Sequence, residues 1–174
     1  MMVKRKKKMK FKHISVILLS VSLSACATNK VAEQQSLIAA NQEIKDAQIA
    51  LLEASNGSPW VFVGHSVKGF DYYININTIK KYSQYESLRY ENGSVDFAET
   101  HTKAWWRVVR NDGAYDQLQT KFYCSKNAAI NTAGVMYSKD DIYKGDLKSN
   151  SFVEPVIPNT VHADISKMAC ELSK

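Results

Sequence analysis

The sequence predicts an α+β fold: an antiparallel β-sheet packed against a C-terminal α-helix, preceded by an N-terminal helical segment. Three observations predict it. All three Trp and all nine Tyr fall between Trp60 and Tyr143, the aromatic enrichment that strands favour. Turn residues recur between alternating runs in that region: Val67-Lys68-Gly69, Asn92-Gly93-Ser94 and Asn111-Asp112-Gly113. Beyond Pro158 the apolar period lengthens to that of a helix, Thr160 to Leu172, with Val161, Ile165, Met168 and Leu172 on one stripe.

The chain opens on Lys4, Arg5, Lys6, Lys7, Lys8, Lys10 and Lys12, followed by an apolar run from Ile14 to Ala25. That run is shorter than the ~20 residues a spanning helix needs. It reads as the h-region of a signal peptide behind a cationic n-region. Leu23-Ser24-Ala25-Cys26 resembles the lipobox of bacterial lipoproteins, in which cleavage exposes the cysteine for diacylglycerol and palmitate-like acyl chains anchor the protein. The alternative is a plain signal with a chance cysteine. By resemblance to Gram-negative lipoproteins, Ala27 in place of Asp after the cysteine implies the outer membrane, at the cell surface or the periplasmic face.

Removing such a leader changes the charge. The chain carries 23 Lys and Arg against 17 Asp and Glu. Seven of the basic residues and none of the acidic ones precede Cys26, so 16 basic stand against 17 acidic, a balance of −1. Nucleic-acid binding then lacks the basic excess that releases counterions from phosphates.

The expected organisation is a lipoprotein signal over 1–25, a lipidated Cys26 with a helical tether over 26–59, and an α+β domain over 60–174. Val31 to Ala54 has no Pro, Gly or aromatic residue, and Ser55-Asn56-Gly57-Ser58-Pro59 stops the helix. Leu37, Ile44 and Leu51 recur every seven residues with Ala40, Ala47 and Ala54 three after each. Such a seam can self-associate as a narrow coiled coil; the alternative is a monomeric spacer. "WVFVGHS" and "FDYYIN" form a first hairpin, with Trp60 and Phe62 on one face of the first strand. "NINTIKKYSQ" reads as a short turn or helical segment. "HTKAWWRVVR" and "YDQLQTKFYC" form another hairpin, in which Leu118, Thr120, Phe122 and Cys124 share the core face. "NTAGVMYSKDD" supplies a further strand, and Tyr137 to Ser151 reads as a polar loop.

With Cys26 acylated, Cys124 and Cys170 remain as one pair in an oxidising setting, which predicts a disulfide. A zinc or redox pair lacks any C-x-x-C spacing. On a regular helix Cys170 lies opposite Val161, so the bridge cannot leave the centre of the apolar stripe. Either the helix edge faces the Cys124 strand or the last turn is irregular.

The order of features, a Trp-aliphatic strand at Trp60 to Val63, "DYYIN" then "TIKK", "AWWRVV", a strand ending in Cys124, a strand bearing Tyr137, then "VIPNT" and a helix ending in Cys170, resembles the surface-adhesin protein E family of Gram-negative exported proteins. The resemblance covers Trp60 to Cys170. It implies an antiparallel sheet on a C-terminal helix tied by the cysteine pair, and a binding role toward host extracellular-matrix or plasma proteins such as laminin, vitronectin and plasminogen. The alternative function is a periplasm-facing lipoprotein that docks on another envelope protein as an accessory or assembly subunit.

The residues offer Trp105 and Trp106 as a candidate binding surface, since neighbours on a strand point to opposite faces and an exposed Trp is a typical interface anchor. In the competing arrangement Trp106 lies in the core with Ala104 and Val108, while Lys103 and Arg107 or a loop cover Trp105. No nucleophile-elbow, cofactor or metal spacing accompanies His65, His101 and His162, and "GHS" is not G-x-S-x-G. The expectation is a non-catalytic protein without cofactor or metal.

Overall fold

The computed structural model describes residues 14–173. Residues 1–13, with the predicted cationic segment, and Lys174 lie outside the described residues, as do the side chains of residues 14–29 and 31, Cys26 included. The backbone of Ile14–Ala54 is one helix, α1. No helix among the described residues is long and apolar enough to cross a membrane. Helix α1 ends where the sequence places its stop: Asn56 and Gly57 turn to positive φ and the Gly57 N–H donates to Leu52 O at 2.8 Å.

Two compact units divide the chain, and the second begins at Glu43. It contains the last turns of α1, seven strands and a second helix. The strands are β1 (Trp60–His65), β2 (Asp71–Arg89), β3 (Val95–Val109), β4 (Tyr115–Tyr123), β5 (Ala128–Tyr137), β6 (Tyr143–Leu147) and β7 (Glu154–Pro155); helix α2 covers Val161–Glu171. β1 to β6 form an antiparallel meander in chain order, and β7 pairs with β5. The sheet curls into a half-barrel.

Turn chemistry fixes the hairpins. Gly69, Gly93 and Gly113 each donate their N–H to the residue three positions earlier, closing the turns that the sequence marks. Gly113 needs its missing Cβ, because its φ of 82° is strained for any L side chain.

One lateral row shows how the pattern becomes a core. Val61, Ile74, Trp106, Leu118, Gly134 and Leu147 pair successively across all six meander strands. The first four face α2, where Ile74, Phe122, Ile165 and Ala169 are wholly buried. Burying each of the larger side chains stabilises the fold by about 1.5–3 kcal/mol. Gly134 is required by closeness: a Cβ there would stand 2.8 Å from Leu147 Cβ. Trp106 is the polar exception. Its Nε1 donates to Thr120 Oγ1 at 2.7 Å, and Thr120 Oγ1 donates to Asn131 Oδ1 at 2.6 Å, so the buried N–H keeps a partner. A second apolar cluster, Leu88, Ala98, Tyr123, Ala128 and Val153, holds the far end of the β2–β3 hairpin.

Two expectations are corrected. "NINTIKKYSQ" is not a turn or helix but the middle of β2, which runs through it as a bulge between Asn75 and Lys80. The turn-like signal has a physical source: Thr78 Oγ1 donates to Asn75 O at 2.7 Å and accepts the Trp105 N–H at 2.9 Å, replacing ladder bonds that the bulge removes. Ile74 and Ile76 on either side are both buried, which holds the segment to the sheet. Tyr137 to Ser151 is not simply a loop, since β6 pairs with β5 from Tyr143 to Leu147.

The predicted stripe on α2 packs on the core: Ile165 is wholly buried, and Val161, Met168 and Leu172 lie half-buried against the same cluster. The most buried residues of α2 are Ile165, Ser166 and Ala169, an arc rotated by roughly 80° from the stripe through Val161 and Leu172 at 100° per residue. Met168 and Leu172 also line a cleft with Val63 of β1 and with Ala47, Ala50 and Leu51 of α1, and Gln48 Nε2 donates to Leu172 O at 3.4 Å. The rotation puts Cys170 at the edge of the buried arc. There it bonds Cys124, which follows β4 directly at the start of a 3₁₀ turn. The bridge thus leaves from the helix edge, the first of the two alternatives.

Candidate functional site

Pleat alternation places the row beside the core row on the other face of the sheet. That row is Phe62, Tyr73, Arg107, Gln117, Val135 and Asp146, again paired strand by strand. A neighbouring row is Trp60, Asn75, Trp105, Gln119 and Ala133. Helix α2 packs on the opposite side, so this face is open. Its chemistry is aromatic and cationic around Arg107, where the covered face is apolar.

Arg107 is at its centre. The guanidinium carbon lies 4.7 Å from the Trp60 ring centre, 4.9 Å from Tyr73 and 5.7 Å from Tyr115, within cation–π range of all three. Phe62 meets Tyr73 edge to face at 5.5 Å and is 44% exposed. Tyr115 stacks on Tyr137 at 4.9 Å and donates its hydroxyl to Asp141 Oδ1 at 2.8 Å. Burial and that hydrogen bond push the Tyr115 hydroxyl up to about 12, so it stays a donor in neutral solution.

A second cluster gathers around Glu86. Its Oε1 accepts from Lys121 Nζ at 2.6 Å and its Oε2 from the Tyr123 hydroxyl at 2.7 Å. Burial raises the Glu86 carboxyl, but these two hydrogen bonds and the Lys121 charge outweigh it and hold the group below its ordinary value. His101 Nδ1 stands 3.7 Å from the same Oε1, too far for a hydrogen bond. Its ring stacks on Tyr82 at 5.1 Å, and Lys103 Nζ lies 5.4 Å above that Tyr82 ring. Burial keeps His101 below its ordinary pKa against the pull of Glu86. Nearby, Tyr85 and Phe97 stack at 5.5 Å while exposing 67% and 48% of their surfaces.

The predicted tryptophans separate. Trp106 is 7% exposed and belongs to the core with Ala104, so it offers no surface to a partner. Trp105 lies on the open face and is half-buried. Its long neighbours are engaged elsewhere, Lys103 on Tyr82 and Arg107 on Trp60, Tyr73 and Tyr115. Along the proposed helical seam, Leu37 is exposed and Ile44 half-buried, while Leu51 packs against the domain's own core.

The histidines are scattered. His65 Nδ1 pairs with Asp71 Oδ1 at 2.6 Å on the surface. His162 lies between Trp106 and Phe122 with its Nε2 unpartnered. Among the described residues no group of three or more His, Cys, Asp or Glu is placed to hold a metal ion. Reading the sequence missed Arg107 as a centre, although the alternation of "AWWRVV" sets it on the Trp105 side. Compared with protein-family models, with curated proteins and with solved structures, the chain matches none of them.

Proposed function

We propose that the protein is a lipid-anchored outer-membrane lipoprotein with a non-catalytic binding role, in which a helical tether over 26–59 carries the 60–174 domain and the open face of the sheet engages a macromolecule. The observation that carries this reading is that open face: a row of aromatic rings around an arginine, left uncovered by the helix that closes the other side. Large exposed aromatics and arginine are the residue types that dominate protein interfaces. The anchor is supported by the order of Lys4 to Lys12, the apolar run Ile14 to Ala25, and Cys26 behind Leu23-Ser24-Ala25. The resemblance to the surface-adhesin protein E family favours a host matrix or plasma protein as the partner.

Protease treatment of intact cells against cells with a permeabilised outer membrane tests the reading. Digestion of the domain on intact cells is expected. Digestion only after permeabilisation sinks adhesion and puts an envelope protein in the partner's place. Labelling with a palmitate analogue tests the anchor separately, and label retained by Cys26→Ala would refute it.

A further inference from the structure

We propose that Arg107 anchors a carboxylate, and that the open face takes a protein segment in which an acidic side chain stands beside a large apolar or aromatic one. The proposal rests on the open face being the binding surface and adds the chemistry of what it binds.

The argument begins with the partners of the cations. Lys121 is paired with Glu86, Lys126 with Asp96 and Arg110 with Asp116. Among the described residues Arg107, like several exposed cations, has no carboxylate partner, but it alone of the Lys and Arg has a buried side-chain nitrogen, Nε, without an acceptor. Three rings hold its plane from Trp60, Tyr73 and Tyr115. They stabilise the charge but leave its N–H donors unspent. A guanidinium fixed in orientation, with free donors, is the group best shaped for two-point capture of a carboxylate.

Beside it lies the apolar half of the site. Leu51, Ala54, Trp60, Phe62 and Tyr73 line a cleft of about 470 Å³. Trp60 and Tyr73 line the cleft and touch Arg107 as well, so an apolar side chain in the cleft brings its neighbours within reach of the guanidinium. Phe62, already 44% exposed, is what such a side chain would cover.

The test uses the full chain, isotope-labelled, in neutral detergent micelles. The probe is a synthetic peptide alternating glutamate with phenylalanine and leucine; two controls replace glutamate by lysine, or the apolar residues by alanine. The glutamate peptide is expected to move the Arg107 Nε–H and Trp60 indole N–H resonances, a readout that needs no variant. Arg107→Gln and either control peptide should each weaken binding by about tenfold or more, with the thermal midpoint of the variant measured alongside to confirm folding. No movement at millimolar peptide overturns the proposal, as does equal binding of the lysine peptide. Binding weakened by Phe62→Ala yet indifferent to Arg107→Gln overturns the carboxylate anchor and leaves the binding face standing.

Discussion

Two adjacent rows of the same sheet, one residue apart in register, have opposite chemistry. The row through Val61, Ile74, Trp106 and Leu118 faces α2 and is closed: its polar N–H is satisfied inside the fold. The row through Phe62, Tyr73, Arg107 and Gln117 faces outward and leaves donors and rings unspent. Stability is concentrated in the first row, and the proposed recognition belongs to the second, so substitutions should separate the two properties.

The sharpest break comes from the closed side. Phe122→Ala, at a site with no exposure, should cost about 3–5 kcal/mol in urea unfolding, against less than ~0.5 kcal/mol for Gln117→Ala on the open row. Comparable losses for the two would show that the faces do not differ in this way. Next is the disulfide, which closes a separation of 46 residues: Cys170→Ser should lower stability by about 2–4 kcal/mol on the chain-entropy model, with the open-face row unchanged in its amide spectrum. Thr120→Val removes the acceptor of the Trp106 N–H and the donor to Asn131, leaving buried polar groups unpaired. An intermediate cost of roughly 1–3 kcal/mol follows, and calorimetry against Thr120→Ser checks it.

A further effect is a pH slope. Burial holds His101 and His162 below their ordinary value of 6.5 in the folded chain, so the unfolded chain binds more protons. Stability is full above pH 6.5 and declines as pH falls below it, by at most about 1.4 kcal/mol per pH unit for each histidine. Glu86, held below its ordinary 4.5, adds a further decline only under pH 4.5. Thermal midpoints between pH 7.5 and 5 should show the slope, and His162→Phe should reduce it; an unchanged slope would rule His162 out as a source.

Much of the sheet was legible because burial on one face writes a period of two. Leu118, Thr120 and Phe122 alternate with Gln117, Gln119 and Lys121, and β4 follows. β6 was not legible: "YKGDL" alternates Tyr143 and Leu147 with Lys144 and Asp146 over only five residues with a glycine at the centre, and it pairs through its backbone with a β5 that Gly134 lets it approach. The stripe on α2 was read correctly as apolar but assigned to one partner. The end of α1 shares part of it with the sheet, whose most buried contacts extend to Ser166 and Ala169 beside it, and a hydrophobic period does not say which neighbour covers which side. At the candidate site Trp105 was legible from strand parity. The arginine cluster was not, because Trp60, Tyr73, Arg107 and Tyr115 come from four strands and only the register joins them.

The meander also has a kinetic consequence. Neighbouring strands in β1 to β6 are consecutive in the chain, so each hairpin closes a short loop and forms quickly relative to sheets with distant pairings. Helix α2, which covers the apolar row, comes after all seven strands. A chain that has built its hairpins but not yet docked residues 161–171 therefore displays Val61, Ile74, Trp106 and Leu118 to solvent as an uncovered apolar face. The docking of α2, and its capture by Cys124 at the end of β4, closes the interval in which that face is exposed to other chains.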